Sequence, residues 1–265
     1  MERIHARKSL GQHWLADPSA VQSVLDAASL TGSETVVEVG PGPGILTPGL
    51  CERAERVVAV ELDRRLIPKL KERTAECGNL EIRQGDILET DLSELPRPYQ
   101  VVANVPYYIT SAIVRHFLES PARPEAMTLT IQAEVAERIC ARPPKMSVLA
   151  VSVQLYGRPR IVGRIKAGAF SPPPEVDSAI LRIEDIGRNL EEMLGGVSEE
   201  AFFAVVRAGF AEKRKQVHNS LARNLDLSHE QSAVLLERAG INPTRRAETL
   251  TVEEWATLAR QATRR

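Results

Sequence analysis

The amino-acid sequence predicts an α/β protein, a parallel sheet of seven strands with helices on both faces, followed by a small all-α domain. Three observations carry this expectation. Short β-rich runs alternate with helix-like stretches over residues 35–133, the pattern of consecutive βαβ units. Two further apolar, β-rich runs, 147–156 and 178–184, bring the strand count to seven. Beyond about Asp185 each segment has helical periodicity and none reads as a strand. The expected domains are therefore 1–185 and 186–265.

The first strand is Thr35-Val-Val-Glu-Val39, followed by a glycine-rich turn and a helix through about Arg53. Arg56-Val-Val-Ala-Val-Glu61 is the second strand, and a charged helix from Arg64 to about Glu76 follows it. Leu80–Gln84 and Gln100–Ala103 make the third and fourth strands. A helix over Ser111–Leu118 leads to the fifth, Ala126–Ile131. A helix from Glu134 to Ala141 is stopped by Pro143-Pro144, ahead of the two closing strands. In the second domain helices are expected over Asn189–Leu194, Glu199–Phe210, Lys213–Asn224, His229–Ala239 and Val252–Thr263. Ser198 is a candidate cap and Gly240 a stop.

Composition narrows the class. At 265 residues and 43% hydrophobic, the chain can bury a full core with a smaller domain beside it. Cys51, Cys77 and Cys140 are widely spaced, and no His stands at ligand distance from them. That spacing argues against zinc, against a disulfide framework and for a reducing compartment. No apolar run reaches the roughly 20 residues of a membrane helix, and residues 1–8 lack the apolar stretch of a signal peptide. A soluble, cytoplasmic protein is expected, with no metal and no membrane partner. A monomer is expected as well. The net charge of −1 gives no overall sign of nucleic-acid binding, so any such surface must be local.

Gly40-Pro-Gly-Pro-Gly44 joins the first strand to the first helix. Glycines there let a ligand approach the backbone closely, beside the amide donors of a helix start. The spacing is Gly-x-Gly-x-Gly and not the Gly-x-Gly-x-x-Gly of dinucleotide sites, which weakens a pyrophosphate reading. Glu61 closes the second strand 21 residues after Gly40, where a carboxylate can bind ribose hydroxyls. Asp63, just beyond, reads better as a helix cap. Asp86 ends the third strand and can accept from the exocyclic amine of a bound adenine. Each acid alone is more simply a surface charge. Together, at successive strand ends, they mark a ligand crevice.

Asn104-Val-Pro-Tyr107 follows the fourth strand. Asn and Pro are ordinary turn residues, but a turn does not account for Tyr107-Tyr108 in a chain with four tyrosines. An exocyclic adenine amine is a poor nucleophile because its lone pair is delocalised into the ring. Acceptance of its N–H bonds by the Asn104 side-chain oxygen and the Pro106 carbonyl would pyramidalise the nitrogen and free that lone pair. Tyr107 could then stack on a flipped or single-stranded base.

Four motifs in order, Gly11-Gln-His-Trp-Leu15, Glu38-Val-Gly-Pro-Gly42, Asn104-Val-Pro-Tyr107 and Phe170-Ser-Pro-Pro-Pro-Glu-Val-Asp-Ser178, make the sequence similar, nearly end to end, to the ribosomal RNA adenine N6-dimethyltransferases. The resemblance implies a Rossmann-like, seven-stranded class I methyltransferase sheet and S-adenosylmethionine as cofactor. It puts His13, Leu15, Gly40, Gly42, Glu61, Asp86 and Asn104 at cofactor-binding positions. It makes Asn104, Pro106, Tyr107 and Phe170 the catalytic set, with Phe170 packing on the other side of the target adenine. The alternative for Phe170 is a core or hinge residue before a proline-rich loop. His13 stands where the family usually has Asn, and Val105 where it has Leu or Ile.

Within that resemblance, Tyr108-Ile-Thr110, Phe210–Leu221 and Ala239–Leu250 are similar to the branch that modifies two adjacent adenines near the 3′ end of 16S, small-subunit rRNA. The other branch modifies a large-subunit adenine and confers macrolide resistance. Arg207, Lys213, Arg214, Lys215 and Arg223 against Glu212 give +4 within 17 residues, a candidate RNA-contacting patch on helix. Arg3, Arg7 and Lys8 form a second cluster. The expected partner is rRNA or the assembling small subunit. Two other classes are consistent with the fold: a ribosome-assembly factor without turnover, and a nicotinamide-dependent oxidoreductase.

Overall fold

The computed structural model describes residues 6–7, 11–212 and 214–263; Arg3, Lys8 and Lys213 lie outside them. In chain order the elements are β1 (Trp14–Leu15), α1 (Pro18–Ala27), β2 (Thr35–Val39), α2 (Thr47–Cys51), β3 (Arg56–Glu61), α3 (Ile67–Arg73) and β4 (Leu80–Gln84). Then come β5 (Tyr99–Asn104), α4 (Thr110–Glu119), β6 (Ala126–Gln132), α5 (Ala133–Ile139), α6 (Val148–Tyr156), β7 (Arg158–Ile165), β8 (Phe170–Ser171) and β9 (Ser178–Glu184). The chain ends in α7 (Leu190–Leu194), α8 (Glu199–Phe210), α9 (Val217–Asn224), α10 (His229–Arg238) and α11 (Val252–Thr263).

The main sheet has seven strands in the order β4-β3-β2-β5-β6-β9-β7. β9 runs antiparallel to both its neighbours, while the remaining pairs are parallel. The central strands are covered on both faces, so they read as continuous apolar runs; Val36, Val37, Val57, Val58, Val101 and Val102 are all fully buried. Strand order reverses between β2 and β5. Open α/β sheets bind ligands at such a reversal, beyond the carboxyl ends of the strands.

The count of seven strands agrees with the sequence, but one strand is a different segment. Residues 147–156 form helix α6 and not a strand. Ser147 caps it by accepting from the Ala150 N–H at 3.1 Å, and a buried helix needs no polar alternation. The sheet takes β7 instead, an edge strand carrying Arg158, Pro159 and Arg160, with a register shift between Ile161 and Gly163. Proline and a bulge are tolerated at an edge, where one side of the ladder is unpaired.

Contacts divide the chain into two compact units. One takes the described residues up to Glu137 together with 158–186, and the other takes 138–157 and everything from Gly187. One division falls after Ile186, and residues 138–157 group with the helical unit, because α6 packs on α7, α8 and α11. In that unit Ser198 caps α8, Trp255 is fully buried, and α9 begins at Val217, not at Lys213.

Candidate active site

The carboxyl ends of β2, β3 and β5, with the turn after β4, open onto one cleft. Gly40 and Gly42 both have positive φ, +64° and +60°. A Cβ on Gly42 would stand 3.0 Å from the Trp14 indole nitrogen, while one on Gly40 would meet nothing within 4 Å. The loop is thus packed on one side and open on the other.

Glu61 is 5% exposed. One carboxylate oxygen accepts from the Gly42 N–H at 2.8 Å and the other from the Asp63 N–H at 2.7 Å. Burial pushes its pKa up, opposed by these backbone donors. Asp63 does not cap α3 itself, whose first residue is Ile67. It holds the preceding turn, accepting from the Arg65 N–H, from the Arg65 guanidinium and from Gln12. The Arg65 bonds hold its carboxyl at about 2. Glu38 lies beneath the glycine loop, 1% exposed, with Oε2 unpartnered among the described residues. Burial, then the neighbouring Glu61 charge, push it up to about 8, so it is mostly protonated at neutral pH. Asp86 lines the cleft, one oxygen accepting from the Leu88 N–H at 2.9 Å.

Asn104 ends β5 at the reversal point. Its side-chain NH₂ donates to the His13 carbonyl at 2.8 Å. A carbonyl can only accept, so this bond fixes which end of the amide is nitrogen and leaves the oxygen for the cleft. Pro106 lies half-buried beside it. Its carbonyl accepts from the Ile109 N–H at 3.2 Å and, at the longer distance of 3.5 Å, from the Thr110 hydroxyl, a bond that a ligand donor would displace. The Tyr107 hydroxyl shares a 2.7 Å hydrogen bond with Ser178 Oγ, and burial raises its pKa. The His13 ring stacks on Tyr107, centroids 5.9 Å apart and planes 20° from parallel. The His13 Nδ1–H donates to the Pro172 carbonyl at 2.8 Å.

A second cavity adjoins the cleft. Gln12, His13 and Tyr107 line both, and the loop Pro172–Val176 bounds the second. The cleft therefore has a neighbour suited to a second reactant, with Tyr107 between them.

Of the residues expected from sequence, the structure brings His13, Gly40, Gly42, Glu61, Asp86, Asn104, Pro106 and Tyr107 to the cleft. Two side chains are not there. Leu15 and Phe170, 2% and 3% exposed, pack in the core beside Val24 and Leu50, because β1 and β8 pair through them. Phe170 presents no face to a base in this structure. Sequence reasoning passes over Gln12, Trp14 and Ser178. All three lie inside the motifs that carry the resemblance, and Trp14 is also one of two tryptophans; no pattern of residue type singles out Gln12 or Ser178 beyond that. Among the described residues no cluster of His, Cys, Asp or Glu could hold a metal ion, and no helix is long and apolar enough to cross a membrane.

In the helical unit the described basic residues are divided between two helices and the turn that joins them, not gathered on one continuous helix. Arg207 ends α8, Arg214 and Lys215 occupy the α8–α9 connection, and Arg223 ends α9; all four are exposed. Arg223 pairs with Glu212 at 2.8 Å.

The sequence pattern of the ribosomal RNA adenine dimethylases matches residues 3–264. The chain belongs to that family. It is similar to the ribosomal RNA small subunit methyltransferase A of Dehalococcoides mccartyi, 46% identical over 96% of this chain and 88% of that one. The protein of the same name from Alkaliphilus metalliredigens is 37% identical, over 97% and 92%. Among solved structures, the 23S rRNA methyltransferase ErmE superposes with a TM-score of 0.75 at 28% identity, covering 94% of this chain and 98% of that one. A dimethyladenosine transferase from Plasmodium falciparum shares the fold, TM-score 0.81 at 24% identity over 93% and 96%. The dimethylase family thus accounts for the seven-stranded sheet, and this chain is a methyltransferase within it.

Proposed function

We propose that this dimethylase transfers methyl groups from S-adenosylmethionine to the N6 amines of two adjacent adenines near the 3′ end of small-subunit rRNA, acting on the assembling subunit. The sheet unit would bind cofactor and carry out the chemistry, and the helical unit would contact RNA through Arg207, Arg214, Lys215 and Arg223, with Lys213 in the same stretch.

The residues fit the cofactor. The open space over Gly40 admits a ligand against the backbone, the Glu61 carboxylate stands at the strand end where ribose hydroxyls are bound, and Asp86 lies beyond it to receive an adenine amine. S-adenosylmethionine, when bound there, supplies an electrophilic methyl group on a sulfonium. The chain's part is to prepare the nucleophile. The Asn104 oxygen accepts one N–H of the incoming amine and the Pro106 carbonyl accepts the other in place of the long Thr110 hydroxyl bond, which concentrates the nitrogen lone pair. No base is required before attack, since the amine sheds its proton afterwards. Preorganised polar groups of this kind are worth about 10²–10³ in rate each. The observation that carries the reading is the Asn104 amide, pinned by the His13 carbonyl at 2.8 Å with its oxygen left over.

The likeness to ErmE gives a second reading, methylation of a large-subunit adenine. The higher identity of the small-subunit relatives favours the first. Incubating the protein with labelled S-adenosylmethionine and undermethylated small or large subunits separates them. Label in two adjacent small-subunit adenines is expected; label confined to large-subunit rRNA overturns the proposal.

A further inference from the structure

Ser178 lines neither cavity and is fully buried, yet its hydroxyl holds the Tyr107 hydroxyl at 2.7 Å across 71 residues of sequence. Both ends of this link are rigid. Ser178 opens β9, in register with Gln132 of β6 and Ile165 of β7. The preceding Asp177 is fixed as well, its carboxylate accepting from the Ala167 N–H and its carbonyl from the Ala133 N–H. At the other end, Tyr107 follows β5, and the Val105 N–H is bonded to the Thr130 carbonyl of β6. β5 and β9 flank β6. Tyr107 is therefore a crossbar between those two strands, tethered by its backbone at one side and by its hydroxyl at the other. A tyrosine ring held only at Cα turns about two side-chain torsions; the second tether removes that freedom. Since burial keeps the Tyr107 hydroxyl protonated, it can donate to Ser178 throughout the neutral range.

We propose that Ser178 is a positioning residue for the acceptor base, fixing through the Tyr107 hydroxyl the plane of the ring on which the target adenine stacks. This rests on the reading above that Tyr107 receives that adenine. A stacked base inherits the tilt of its platform, so a ring free to swing would bring the N6 amine to Asn104 and Pro106 in the productive geometry for only part of the time. The consequence falls on turnover, not on affinity for the particle, which is carried elsewhere.

The test is a double-mutant cycle with Ser178→Ala and Tyr107→Phe, each removing the same bond from one side. Single-turnover methyl transfer to undermethylated small subunits is measured with the KM for the particle, the calorimetric Kd for S-adenosylmethionine and Tm. Each single variant is expected to lose about 3- to 10-fold in kcat, the usual range for one hydrogen bond. KM and cofactor Kd should stay within about twofold, and the double variant should be no worse than the poorer single by more than about twofold. Ser178→Thr, which keeps a hydroxyl, should restore most of the rate. Multiplying losses in the double variant, an unchanged rate in Tyr107→Phe, or a loss shared equally by cofactor Kd and Tm would each overturn the positioning role. Should Ser178→Ala not fold, Tyr107→Phe and Ser178→Thr decide the question by the same criteria. Failure of the unmutated protein to methylate small subunits is distinguishable from all of these and would overturn the functional reading itself.

Discussion

The strand-end cleft and the stretch Arg207–Arg223 are both conspicuous in the sequence, yet the chain builds them in different ways. In the cleft, residues 40, 61, 86 and 104 are far apart in sequence and meet in space, because each parallel strand delivers its last residue, or the one or two after it, to the same edge of the sheet. In the helical unit, residues close in sequence are spread over the end of α8, a turn and the end of α9, and one of the cations is already paired with Glu212. A sheet edge concentrates groups into a site with defined roles, whereas a helix–turn–helix distributes charge over a surface. Substitutions in the first region should accordingly act on individual steps with large effects, and those in the second should act in small, interchangeable increments.

The sharpest break of that comparison would be at Asn104. Asn104→Ala removes the acceptor at the amine and is expected to lower single-turnover methyl transfer by about 10²–10³ while particle binding, measured by filter retention, is unchanged. Glu61→Gln should come next. It places an amide NH₂ opposite the Gly42 or Asp63 N–H and removes the charge that faces the ribose, so the calorimetric Kd for S-adenosylmethionine should weaken by about 10- to 100-fold. Because burial raises the Glu61 pKa, affinity in the parent should begin to fall on acidification at a higher pH than an ordinary carboxylate would give. The Gln variant should lack that pH dependence.

Glu38 offers a smaller effect of the opposite sense. Its folded value is raised from 4.5 to about 8. The contribution of Glu38 to stability is therefore fully present below about 4.5 and is lost as pH rises from there through about 8. Glu38→Gln, neutral at every pH, should show a Tm advantage over the parent that grows between pH 5 and 8, with about 2–4 °C for each kcal/mol. An advantage that shrinks with rising pH would contradict the buried, protonated state. Least of all should be Arg214→Glu with Lys215→Glu. That pair is expected to weaken RNA binding only several-fold and to reduce the salt slope by about one for each phosphate no longer neutralised, with kcat at saturation intact.

Much of this is legible in the sequence where burial is two-sided or where topology does the gathering. Val36 to Val39 and Val57 to Val60 can only be central strands, and the strand-end acids follow from them. The helix at 147–156 defies its sequence for a simple reason. Val-Leu-Ala-Val-Ser-Val-Gln-Leu-Tyr is rich in β-branched residues, but a helix buried among others tolerates that composition, and Ser147 starts it. β7 is hidden for the converse reason, since an edge strand can carry arginines, a proline and a bulge. The motif that contains Phe170 points to the base, yet β1–β8 pairing turns this side chain into the core. The pairs Asn104 with His13 and Tyr107 with Ser178, 91 and 71 residues apart, leave no trace in composition or periodicity. They exist only once the sheet has closed.

Helix α6 carries a practical consequence for dissecting the chain. It lies between β6 and β7 in sequence, yet packs on α7, α8 and α11. A truncation after residue 186 would therefore not yield a self-contained catalytic half. It would keep Val148–Tyr156 while deleting the helices on which this apolar helix packs, baring apolar surface that invites aggregation. A workable dissection must also excise 138–157 and rejoin α5 to β7 through a short polar linker.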